Sequence, residues 1–210
     1  MRKQYFDSLA YSLFTMRRPL VGFWDLIHEK KGSLAAAHTI VVVAVIVEIL
    51  RLTLTNFQFI IVNMEAFNVI IVILQVLLPL GLWVVANWSL TTLFDGKGKL
   101  SYIYMGTAYA MVPMVIINAV MIPVSHVITA QEGAIYWLIT SIGTLWFVML
   151  VLCAMMEIHD FTMSKTVLSS IFTLLAVGVI IFIFIMFFAV VSDGVSFIYM
   201  FAREIILRLQ

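Results

Sequence analysis

The stretch NWSLTTLFDGKGKLSYIYMGTAYAMVP, Asn87 to Pro113, decides how the chain is read. An apolar run closes at Phe94, the turn Asp95-Gly96-Lys97-Gly98-Lys99 follows, and a second apolar run opens at Leu100. Asp-Gly is a strong turn dipeptide. Asp bonds to nearby backbone, and Gly takes positive φ without steric cost, so a glycine is expected to supply the left-handed residue here. Both flanking runs are long enough to cross a bilayer. The stretch therefore reads as a helical hairpin whose two lysines mark one side of a membrane.

Composition agrees. The chain is 64% hydrophobic and 11% charged, where soluble domains carry about 25% charged residues. A chain of 210 residues cannot bury that much apolar side chain in its own core, so its solvent must be lipid. The net charge of +1 argues against a nucleic-acid partner. The single cysteine, Cys153, lies in an apolar run, which excludes an internal disulfide and a cysteine-based metal site.

Outward from the hairpin, five apolar segments fall near 34–55, 66–92, 101–126, 133–157 and 166–191. Each reaches the ~20 residues a helix needs to span ~30 Å of hydrocarbon, and helices satisfy their own backbone polar groups there. The expected class is an all-α polytopic membrane protein: five transmembrane helices with amphipathic interfacial helices at both termini. Residues 1–33 form the N-terminal amphipathic segment. In it Tyr5, Phe6, Leu9, Leu13 and Phe14 make one face; after Pro19, Leu20, Phe23, Trp24 and Ile27 make another. These pieces are expected to lie on the membrane surface, to dock on the bundle, or both. A break at Ser192-Asp193-Gly194 is expected to free residues 192–210 as a separate amphipathic helix, with Ile198, Phe201, Ile205 and Leu209 on one face.

Orientation follows from the cations. With the N-terminus inside, the inner side holds nine: Arg2, Lys3, Arg17, Arg18, Lys30, Lys31, Lys97, Lys99 and Lys165. The outer side holds three, Arg51, Arg203 and Arg208. The N-terminus is thus expected in the cytoplasm and the C-terminus outside.

Polar residues inside apolar runs are the candidates for function. Glu48 and Arg51, three apart, suit an ion pair on one helix face. Asn63, Asn68, Gln75 and Asn87 mark the second run and its approach, with Asn68 and Gln75 on one face; Asn118 is the matching group in the third. Interhelical hydrogen bonds account for them; a solute path is the sharper reading. Pro79, Pro113 and Pro123 are expected to kink their helices. Glu157, His159 and Asp160 sit too close in sequence to converge on one ion from a regular helix, and no nucleophile elbow or phosphate loop is present. No catalytic residue, metal or cofactor is expected.

Three stretches carry a resemblance: Pro19-Leu20-Val21-Gly22-Phe23-Trp24-Asp25-Leu26, Asn87 to Pro113, and Glu157-Ile158-His159-Asp160-Phe161 through Ser164-Lys165. They are similar to the Yip-domain family of Ypt/Rab-interacting membrane proteins, closest to its prokaryotic branch, over roughly residues 19–190. The resemblance implies a five-span domain over 34–191, a cytosolic N-terminus and a bacterial plasma membrane. It departs from the eukaryotic pattern, with a rearranged P-x-x-G-F-W-D-L at Pro19 to Leu26 and Ala108-Tyr109 in place of Gly-Tyr, so Rab binding does not carry over. The expected function is a non-enzymatic partner-binding, scaffold or membrane-shaping component. The alternative is a transport component, such as an accessory subunit of a carbohydrate ABC transporter. Expected partners are the lipid bilayer and other integral membrane proteins, ABC transporter subunits or further copies of the chain among them. Trp24, Asp25, Asp95, Lys97 and Tyr109 are expected to mark a shared cytoplasmic contact face.

Overall fold

A computed structural model describes residues 2–60 and 67–208. Asn63 and Leu209 lie outside them. Among the described residues eight α-helices follow in order: α1 (Arg2–Arg17), α2 (Pro19–His28), α3 (Leu34–Leu54), α4 (Val69–Leu93), α5 (Leu100–Ala110), α6 (Val112–Val124), α7 (Gly133–His159) and α8 (Met163–Arg208). Five segments are long and apolar enough to cross a membrane: α3, α4, α5 with α6, the segment Ala130–His159 containing α7, and α8 up to Phe201. The five-span, all-helical reading of the sequence therefore holds.

Local chemistry sets the ends. The Ser33 hydroxyl caps α3 by accepting from the Ala36 amide at 3.1 Å. Asn68 was expected inside the second span. It instead caps α4, its Oδ1 accepting from the Ile70 amide at 2.9 Å, as short amide side chains do at helix starts. The third span is broken at Met111, and Pro113 opens α6, where its missing N–H costs nothing.

The spans alternate. One end of the bundle, here the basal end, gathers α1, α2, the start of α3, the 95–99 turn and the α7–α8 turn. There Tyr5 shares a hydrogen bond with Thr39 at 2.7 Å, and Lys165 Nζ donates to the Phe94 carbonyl at 2.9 Å. At the opposite, distal end, Ser125 Oγ accepts from the Asn56 amide at 3.0 Å. His126 Nε2 lies 2.7 Å from the Leu54 carbonyl, and Phe59 stacks on Tyr136 at 4.6 Å. Contacts join α6 to α7, α4 to α8, α5 to α7 and α3 to α6. The α5–α7 crossing is tight: a Cβ on Gly106 would stand 2.7 Å from Ile158 Cδ1, a small-residue approach typical of membrane helices.

One expectation is revised at each terminus: the buried face of α1 at the first, the helix break at the second. The N-terminal pair docks on the bundle, α1 against α3 and α5, α2 against α7. Only part of the apolar stripe of α1 is docked: Tyr5 and Leu9 pack on the core beside small hydroxyl residues. Ser8, Ser12 and Thr15 are buried, while Phe6 and Leu13 are exposed. Small hydroxyl side chains let backbones come close: a Cβ on Gly22 of α2 would meet Thr15 Cα at 2.7 Å. In α2, Phe23 and Leu26 are buried, whereas Leu20 and Trp24 of the expected stripe face outward.

At the other terminus, the expected break at Ser192-Asp193-Gly194 is absent. Helix α8 runs 46 residues without interruption, roughly 69 Å at 1.5 Å per residue. No glycine among the described residues has positive φ, so Gly194 makes no left-handed cap. A single mid-helix glycine costs only ~1 kcal/mol, too little to stop a run of good helix formers without proline. Residues 192–208 are therefore the distal end of α8, not a separate helix.

Candidate functional site

Two places gather polar chemistry: the basal end and the interior of the bundle. At the basal end the 95–99 turn is held by a buried relay. The Gly98 amide donates to His159 Nδ1 at 3.3 Å, which makes Nδ1 the acceptor and puts the ring proton on Nε2. Nε2–H then donates to Asn87 Oδ1 at 2.9 Å. Asn87 Nδ2 donates to Thr173 Oγ1 at 3.2 Å, and Thr173 Oγ1 donates in turn to the Ser169 carbonyl at 2.8 Å. One chain of bonds thus ties the turn, α7, α4 and α8 together. Asn87 is fully buried and His159 1% exposed, so each lost partner would strand a polar atom in a dry site.

The turn glycines serve this contact. Positive φ falls on Asp95, at 59°, not on a glycine as expected; Asp tolerates that region better than most side chains. Gly96 and Gly98 are needed for closeness instead. A Cβ on Gly96 would stand 2.8 Å from His159 Nδ1, and one on Gly98 2.4 Å from His159 Cε1. Outside this buried layer, Lys97 Nζ pairs with Asp160 Oδ2 at 2.7 Å. That pair lies in water, and Lys97 holds the Asp160 carboxyl below its usual range.

The expected contact residues divide between surface and interior. Trp24 is exposed and stacks on His28 at 4.7 Å, and Asp95 and Lys97 are exposed in the turn at the same end. Trp24, Asp95 and Lys97 therefore lie at one basal surface. Asp25 and Tyr109 are turned inward. Asp25 Oδ2 accepts from Tyr11 OH at 2.5 Å and from Lys31 Nζ at 2.8 Å. These bonds, Lys31's first, hold its carboxyl below the usual range. Burial, then the bond to Asp25, pushes the Tyr11 phenol up to about 12. Tyr109 is 1% exposed. Its hydroxyl donates to the Ser8 carbonyl at 3.1 Å and shares a 2.6 Å bond with Ser8 Oγ, locking α1 onto α5.

In the interior, Glu48 and Arg51 form the expected pair, Nε to Oε2 at 2.8 Å and Nη2 to Oε1 at 2.6 Å. Glu48, Gln75 and Asn118 line one cavity of about 510 Å³ between the spans. Asn68, at the end of α4, is not among its walls. The sequence reading missed Thr173, Ser169 and Ser170. Their signal was available: Thr166, Ser169, Ser170 and Thr173 recur at i, i+3, i+4, i+7 in an otherwise apolar run, and all four are buried.

Together these features define a polytopic helical membrane protein with a polar-latched basal end and a cavity inside its bundle. The Yip1 domain matches residues 13–190, and the chain belongs to that family, one of membrane proteins that are in general non-enzymatic. No curated protein and no solved structure matches it.

Proposed function

We propose that the chain is a non-enzymatic membrane component that binds other integral membrane proteins through its basal face, which lies in the cytoplasm of a bacterial plasma membrane. The observation that supports this most is the α1–α2 platform. Its inner side is fixed to the bundle by Phe23, Leu26 and the Ser8–Tyr109 bond. Its outer side presents Leu20, Val21 and Trp24, each roughly half exposed. A rigid, docked platform with an exposed aromatic suits partner contact, since anchors held in place lose little entropy on binding. The excess of basal cations supports the orientation, with the C-terminal end of α8 outside.

The test is crosslinking with mass spectrometry in native membranes, followed by co-purification in mild detergent. Basal crosslinks to another membrane protein are expected, and Trp24→Ala, at an exposed site, should lose them without unfolding the chain. A chain that runs alone under both conditions overturns the reading. The transport alternative draws on one observation, that Glu48, Gln75 and Asn118 share a cavity. Loss of sugar uptake by a partner permease when the chain is removed would favour it.

A further inference from the structure

The cavity has an order along its depth. Glu48, Gln75 and Asn118 each stand six residues inside the distal end of their helix, roughly 9 Å at 1.5 Å per residue. Three helices thus place polar side chains at one level, around one space. Arg51 binds Glu48 through both carboxylate oxygens, so this ring carries no net charge. Below it the wall is apolar, with Val76, Leu80, Met111, Val115 and Val151. Deeper still, Trp83 and Ser170 complete the wall, with Trp83 Nε1 and Ser170 Oγ covered by protein and not turned to the space. Ser170 is only 7% exposed.

The volume of about 510 Å³ falls within the roughly 300–1,000 Å³ of ordinary ligand pockets. Gln75 is both a lining residue and exposed, beside exposed Leu74, Leu77 and Leu78. The cavity therefore opens at a depth where its mouth meets hydrocarbon.

We propose that this cavity binds an uncharged lipid of the acylglycerol class, drawn from the bilayer. The head sits at the polar ring, its ester carbonyl and hydroxyl oxygens bonded to the Gln75 and Asn118 amides, while hydrocarbon lies along the apolar wall beside Trp83. A phospholipid fits poorly, because a phosphate needs a cation and Arg51 is already committed to Glu48. A long-chain alcohol has one oxygen for two amides.

Trp83 is the reporter. In a variant keeping it as the sole tryptophan, in phosphatidylcholine nanodiscs, dibromostearoyl monoglyceride is expected to quench its fluorescence saturably. Dibromostearoyl phosphatidylcholine at the same mole fraction should quench at most half as much. Gln75→Leu with Asn118→Leu should weaken the glyceride's effect about ten-fold while leaving thermal stability equal or higher, as for polar groups kept for a guest. Equal quenching by the two lipids overturns the proposal. So does strong quenching by acrylamide, which would mean a water-filled space. On the unaltered chain, native mass spectrometry with added monoolein should show a one-to-one adduct that Val151→Phe removes. No adduct at excess lipid also overturns it.

Discussion

Adding one methyl group at Gly98 should disturb four segments at once. The new Cβ would lie 2.4 Å from His159 Cε1 and 2.7 Å from Ile158 Cγ2, well inside contact distance. Neither neighbour can step aside easily, since both are buried and the imidazole is bound at each nitrogen. Either the turn lifts from α7, losing the Gly98–His159 bond, or the ring rotates and leaves Asn87 Oδ1 without its donor. Overpacking of this kind costs about 1–3 kcal/mol, and a stranded buried acceptor a further ~1–3 kcal/mol. Gly98→Ala is therefore expected to destabilise the protein by about 2–6 kcal/mol in total.

The assay is reversible unfolding in mild detergent, with hydrogen exchange read at the 95–99 turn and at the end of α7. A double-mutant cycle isolates the contact. His159→Ala removes the clashing ring, so the combined variant should be less destabilised than the sum of the two by at least ~1 kcal/mol. If Gly98→Ala costs under ~0.5 kcal/mol, or if the two changes simply add, the close-approach role of the turn glycines is refuted.

Tyr109→Phe removes the hydroxyl that bonds Ser8 and should cost about 1–3 kcal/mol. The loss should be confined to faster hydrogen exchange in α1; unchanged α1 protection would contradict its locking role. The α1–α2 junction should also fail at both ends of the pH scale. Because the folded Asp25 carboxyl lies below its ordinary value, its stabilisation is present above about pH 4 and is lost as pH falls through the depressed value. The Tyr11 phenol is raised to about 12, so its contribution is present below about pH 10 and is lost as pH rises through that raised value. Asp25→Asn should abolish the acid limb seen by α1 exchange; an unchanged limb would assign it elsewhere.

The spans were legible because length and apolar composition decide them almost alone. The turn at Asp95 to Lys99 was legible as a turn, but its glycines were assigned the wrong task. Their reason is His159, 61 residues from Gly98, and nothing local in the sequence announces that encounter. The α1 face was read only in part. Apolar periodicity marks the buried side of a helix in water, whereas here Tyr5 and Leu9 pack on the core, Phe6 and Leu13 stay exposed, and Ser8, Ser12 and Thr15 take the closest-packed positions. Glu48 and Arg51 were found because charges in an apolar run are rare and must pair. That Gln75 and Asn118 share their depth could have been counted from the helix ends, but only once those ends were known.

The latch and the cavity share a wall. Helices α4 and α8 are clamped at the basal end by Asn87 to Thr173 and by Phe94 to Lys165, whereas residues 181–201 of α8 are exposed throughout. The angle of that wall, and with it the width of the cavity, is therefore set from the basal end. Loosening the latch should be felt at Trp83, even though Gly98 is not among the residues lining the cavity. In the sole-Trp83 background, Gly98→Ala should let dibrominated phosphatidylcholine quench nearly as well as the glyceride, because a splayed wall admits any chain. A variant that loses stability yet keeps full discrimination between the two lipids would show that α4 and α8 hold the cavity without help from the turn.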